Sequence, residues 1–144
     1  MAESQSMSIS PERVGQMLQG AGYRTEYRQD ANDTPVIVSA TGGLSFSIRM
    51  GNRATAPLDG FLDFTYLAIL KVDTPFPLER VNDWNNIKRF ARLHRSEDFI
   101  VLGMDVIAAG GVSDRYLLST LELWDRLIQE FILWLRGDAP ANAA

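Results

Sequence analysis

At 144 residues, 46% hydrophobic and 22% charged, the chain has the size and composition of one globular domain with its own core, which excludes a disordered or fibrous protein. With 14 Lys and Arg against 18 Asp and Glu its formal charge is -4, so nothing draws it over long range to a phosphate backbone, and nucleic acid is not expected as a partner. The absence of cysteine excludes disulfides, thiolate nucleophiles and cysteine-ligated metals, and the single His94 leaves little room for a histidine metal site.

Residues 1–7 are polar, include Glu3 and lack an apolar centre, so they do not read as a secretory signal, and a cytoplasmic protein is expected. Purely apolar runs such as 131–135 fall far short of the roughly 18 to 20 residues that span a bilayer, so no membrane association is expected. Residues 1–8 and 137–144 are small, polar or alanine-rich and are predicted to be flexible ends around a single domain over 9–136.

Ser10 followed by Pro11 reads as an N-cap and a first helical residue, and Val14, Met17, Leu18 and Ala21 continue at helical spacing to a stop at Gly22. Tyr23, Thr25 and Tyr27 alternate with Arg24, Glu26 and Arg28, which predicts a half-buried strand before a turn over 30–33. Residues 36–40 and 44–50 flank Thr41-Gly42-Gly43 and predict a hairpin, with Leu44, Phe46, Ile48 and Met50 on a dry face and Ser45, Ser47 and Arg49 on a wet one.

Residues 61–72 form the longest strand candidate. Leu62, Phe64, Tyr66, Ala68, Leu70 and Val72 share the core face, while Leu67 and Ile69 place an apolar pair on the other face, where it either meets a partner or is partly buried. Pro75 and Pro77 end that strand, and a helix is predicted over about 77–86. A second hairpin follows, with strands over 90–95 and 99–106 around the turn Ser96-Glu97-Asp98, and Gly110-Gly111 turns the chain again.

Ser113 caps a last helix on which Leu117, Leu121, Trp124, Ile128, Phe131 and Leu135 recur at steps of four and three. Leu118, Leu123, Leu127, Ile132, Leu133 and Trp134 widen its apolar surface beyond one stripe. Its end is therefore expected either to pack deeply or to join a dimer interface. The predicted fold is α+β: an antiparallel sheet of about five strands with helices on one face, in the order helix, three or four strands, helix, two strands, helix.

Three stretches carry a resemblance: Val81-Asn82-Asp83-Trp84-Asn85, Lys88-Arg89-Phe90-Ala91-Arg92 and Gly110-Gly111-Val112-Ser113. They resemble, respectively, the middle helix, the following strand and the entry to the last helix in the YbjN family of bacterial proteins. The resemblance extends over about residues 10–136 and is most specific over 81–113. It implies a fold similar to type III secretion chaperones, whose small subunits commonly pair as dimers, and a role in sensory transduction regulation. It implies no catalytic residues, and the loop over 53–60 matches nothing in the family pattern, so client or ligand specificity could reside there.

Asn82, Asn85 and Asn86 are poor helix formers, so three within five positions point to structural use: Asn82 and Asn85 tying the helix to a neighbouring backbone, Asn86 ending it in a left-handed conformation. A polar recognition site is the alternative. Trp84 is expected as a core anchor with its N–H on one acceptor, such as an asparagine, or else as a contact for a bound segment. Lys88, Arg89, Arg92 and Arg95 form a basic run, but strand alternation puts Arg92 on the face opposite Arg89 and Arg95, and Glu97, Asp98 and Asp105 are near enough to neutralise it. His94 has no nucleophile or carboxylate at a motif spacing and reads as a surface residue. The glycine pairs lack the phosphate-loop patterns and read as turns.

These observations predict a non-enzymatic, chaperone-like or regulatory module that binds an unidentified protein partner and forms a homodimer. Leu67, Ile69, Trp84, Arg92 and Trp134 are its candidate interaction surface. No cofactor, metal or catalytic residue is expected. The alternative is a small-molecule sensor with an apolar pocket between sheet and helices, gated by the loop over 53–60.

Overall fold

The structure, a computed structural model, describes residues 7–137. Its elements are α1 (Pro11–Gly20), β1 (Glu26–Gln29), β2 (Pro35–Thr41), β3 (Leu44–Met50), β4 (Asp63–Lys71), α2 (Leu78–Ile87), β5 (Arg92–Ser96), β6 (Phe99–Ile107) and α3 (Asp114–Arg136). The strands form one antiparallel sheet in the order β1-β2-β3-β4-β6-β5. The class and the element order are those the sequence predicts. The sheet has six strands rather than about five, the three or four expected before α2 being four.

Local chemistry accounts for most boundaries. Ser10 Oγ accepts the Arg13 N–H at 3.1 Å ahead of Pro11, and Ser113 Oγ accepts the Tyr116 N–H at 3.0 Å, so α1 and α3 begin on side-chain caps. At its far end α3 stops at Gly137, whose φ of 75° is left-handed. The β2–β3 hairpin turns on Gly42 and Gly43 with φ of 62° and 82°, a pair of values that glycine adopts without steric cost.

Strand register builds the core row by row. Tyr27, Ile37, Ile48, Tyr66 and Met104 lie in one line across five strands on the helix-bearing face. Above that line the Tyr66 and Trp124 rings stack at 5.3 Å, and Phe46 meets the edge of Trp124 at 5.9 Å. Thr120 donates its hydroxyl proton to the Leu117 carbonyl at 2.7 Å, so Tyr66 is the donor in the 2.9 Å bond between the two hydroxyls.

The end of α3 packs one side against α2 and stays partly exposed on the other. Trp134 lies 5.3 Å from Trp84, 5.9 Å from Phe76 and 6.0 Å from Phe131, with Arg80 stacked over it at 4.2 Å and donating to its carbonyl. Of the residues that widen the apolar surface of α3, Leu133 stays largely exposed, at 46%.

Four local expectations are corrected. The half-buried strand predicted over 23–28 starts only at Glu26 and is exposed throughout, because it forms the sheet edge. Phe90 is not in a strand: its φ is 78°, it is 61% exposed, and β5 begins at Arg92. Asn86 does not end α2, which continues to Ile87 and closes on Lys88 in an extended conformation. Ser96 pairs with Phe99, leaving a two-residue turn in which Glu97 takes the left-handed position, with φ of 55°.

Of the ends predicted to be flexible, 1–6 and 138–144 lie outside the described residues. Ser8 is buried and donates to the Asp59 carbonyl, and Ile9 pairs with Phe61.

Candidate interaction surface

The sheet carries its helices on one face. The buried cluster takes Ile37, Ile48, Tyr66, Leu102 and Met104 from the inner face and leaves out Val36 and Val101, which point the other way. Among the described residues the outer face has no helix over it.

The register places Val38, Ser47, Leu67, Gly103 and Arg92 in one outer row, with Ile69, Val101 and His94 in the next. Gly103 matters for what it lacks: a Cβ there would sit 3.2 Å from the Leu67 Cδ2 atom. Leu67 therefore occupies space that any other residue at 103 would fill, and is half-buried without a helix above it. Ile69 beside it is 47% exposed. Val38, Leu67, Ile69 and Val101 together make a low apolar strip at the centre of the face.

Polar groups bound that strip. Thr65 donates its hydroxyl proton to Asp105 at 2.6 Å, and Arg92 Nη1 donates to the other carboxylate oxygen at 2.8 Å. The Thr65 hydrogen bond and then the Arg92 guanidinium hold the Asp105 carboxyl below the usual aspartate range. Asp105 thus neutralises Arg92, as its nearness in sequence led us to expect. Arg95 takes the opposite face and donates to the Phe76 carbonyl at 3.0 Å, while Arg89 lies in the loop before β5, against Phe90. The basic run does not converge on one site.

Of the five predicted surface residues, Leu67, Ile69 and Arg92 share the outer face. Trp84 is fully buried and Trp134 half-buried on the other side of the sheet, in the aromatic cluster with Phe131, so Trp84 is no surface residue. The Trp84 indole donates to the Ala91 carbonyl at 3.1 Å rather than to an asparagine. Asn85 gives both ends of its amide to Leu93, while Asn82 is exposed. The role of Gly103 was not read from the sequence, although a lone glycine inside the apolar alternation from Ile100 to Val106 is the signal that marks a close approach.

Surface hollows lie around the sheet and helices, one of them reaching Val38 at the end of the outer row. One of about 320 Å³ runs between α1 and α3 beside Arg13, Met17 and Leu118; the others, of about 610 and 490 Å³, flank β1. None of these is lined by the loop over 53–60; the one of about 490 Å³ lies between the start of α1 and the β1–β2 edge of the sheet, lined by Pro11, Glu12, Tyr27, Gln29 and Pro35. Among the described residues no group of His, Asp or Glu is arranged to hold a metal ion, and no helix is long and apolar enough to cross a membrane.

Comparison with known families matches residues 10–137 to YbjN, described as "Putative bacterial sensory transduction regulator". No curated protein and no solved structure matches the chain.

Proposed function

The chain belongs to the YbjN family, and on that premise we propose that it is a regulatory protein-interaction module, chaperone-like in binding segments of other proteins, working without catalysis as a homodimer in the cytoplasm. The observation that carries this reading is the uncovered outer face of the sheet, where Leu67 and Ile69 form an apolar strip bounded by the Arg92–Asp105 ion pair. Contiguous apolar surface rimmed by polar groups is typical of protein contact sites. A partner presenting an apolar segment would cover the strip and displace water from it, while the rim would stay solvated.

Affinity purification with mass spectrometry, comparing the wild-type chain with a Leu67→Asp, Ile69→Lys double variant, tests the reading. Proteins retained by the wild type are expected to be lost from the variant while its circular dichroism spectrum stays that of the folded chain, because neither residue belongs to the buried core. The same proteins retained by both chains would reject the outer face as the binding surface.

A further inference from the structure

We propose that the homodimer forms through β1, which pairs antiparallel with β1 of a second copy about a two-fold axis at Tyr27. The inference rests on the homodimer reading above and assigns its interface.

Among the described residues, α2 caps the start of the β5 edge and leaves the β1 edge bare. At the β5 edge, α2 occupies the outward backbone at its start: the Trp84 indole takes the carbonyl of Ala91, just before β5, at 3.1 Å, and the Asn85 amide takes both the N–H and the C=O of Leu93 at 2.8 Å. At the β1 edge all four residues are exposed. Glu26 pairs with Val38 and Arg28 with Val36, and the Asp30 N–H continues that register with a 3.0 Å bond to the Thr34 carbonyl. Bonded and non-bonded pairs alternate in an antiparallel ladder, so Glu26 and Arg28 bond toward β2 while Tyr27 and Gln29 turn their backbone groups outward. Pro35, which has no N–H to offer, faces Gln29 and agrees with this phase.

The side chains along this edge complement themselves. Arg24, Glu26, Arg28 and Asp30 alternate in sign at every second position, with Tyr27 at the centre. An antiparallel pairing centred on Tyr27 sets Glu26 against Arg28 of the second copy and Arg24 against its Asp30. Sliding the strands by two residues in one direction opposes Glu26 to Asp30 and Arg28 to Arg28; sliding in the other opposes Glu26 to Glu26 and Arg24 to Arg28. A one-residue slip puts the outward backbone groups out of phase. One register therefore satisfies both charge and hydrogen bonding, and like charges directly opposite disfavour its neighbours.

Tyr27, 51% exposed, points to the helix side with its hydroxyl against Gly15. The hollow of about 490 Å³ lined by Pro11, Glu12, Tyr27, Gln29 and Pro35 leaves room beside it for the tyrosine of the second copy.

Light scattering on four forms tests the interface. The wild type is expected at twice 16.1 kDa. Glu26→Arg alone and Arg28→Glu alone are each expected at the monomer mass, because each opposes like charges twice. The double swap E26R/R28E, and an equimolar mixture of the two single variants, are expected to recover the dimer, since both restore opposite charges across the axis. Recovery in the mixture also shows that both single variants are folded. If the single variants stay dimeric, the interface lies elsewhere and the homodimer reading survives. If the single variants are monomeric and neither the mixture nor the double swap pairs, the register is wrong. A wild type that is monomeric at every accessible concentration overturns both readings.

Discussion

Asn85 donates from Nδ2 to the Leu93 carbonyl and accepts the Leu93 N–H at Oδ1, each at 2.8 Å, so one side chain on α2 satisfies both outward backbone groups of an edge-strand residue. The amide takes the place a further strand would take. It fastens α2 to the sheet and closes an edge that would otherwise be free to pair with another chain.

Replacing Asn85 with Ala leaves both Leu93 groups to find water at the margin of the core. The expected loss is about 1–3 kcal/mol in urea unfolding, the range for an unsatisfied, partly buried backbone pair. Asn82→Ala, an exposed position on the same helix, is expected to change stability by no more than about 0.5 kcal/mol. Equal effects at the two sites would contradict a special role for Asn85.

Trp84 is fully buried between Phe131 and Trp134 and holds the Ala91 carbonyl. Trp84→Ala is expected to cost about 3–5 kcal/mol, or to unfold the domain outright, by opening a cavity and freeing that carbonyl. Thermal melts are sufficient to measure it. A shift of only a degree or two would place this side chain outside the core.

Asp105 has its carboxyl held low by Thr65 and Arg92, so the unfolded chain binds its proton more readily than the folded one does. The contribution is present above the ordinary aspartate value of 3.8 and disappears as pH falls through the lower folded value. Urea midpoints of wild type and Asp105→Asn are therefore expected to differ near neutral pH and to converge in acid. A difference that stays constant across that range would mean the carboxylate is not stabilised by these partners.

Burial pushes the Tyr66 phenol well above its ordinary value of 10.0. Above pH 10.0 the unfolded chain loses this proton first, so stability falls as pH rises toward the folded value. Tyr66→Phe is expected to flatten the alkaline slope while costing about 0.5–1.5 kcal/mol at neutral pH through the lost bond to Thr120. Part of the slope should persist, because burial and then Asp125 also raise the Tyr23 phenol.

Element type and order were legible in the sequence wherever a local pattern carries the physics. Ser10-Pro11, Gly42-Gly43 and Ser113 mark boundaries because caps and turns are satisfied within a few residues. The periodicities of α3 and of β2 to β4 point to the core because burial follows from which face a side chain shares. The same reasoning set Leu67 and Ile69 on the face away from the core and Arg92 opposite Arg95.

What tertiary structure alone decided were the partners of groups on different elements. Trp84 and Asn85 showed in the sequence as unusual helix residues, but their acceptors, Ala91 and Leu93, are fixed by how α2 docks on β5. Phe90 read as strand because its neighbours alternate, yet the docked helix turns the chain there and starts β5 two residues later. The exposure of β1 follows from its place at the sheet edge, and the room for Leu67 from a glycine 36 positions away, on β6. Periodicity records the face a residue occupies, and only the folded sheet determines which residues from distant strands meet on it.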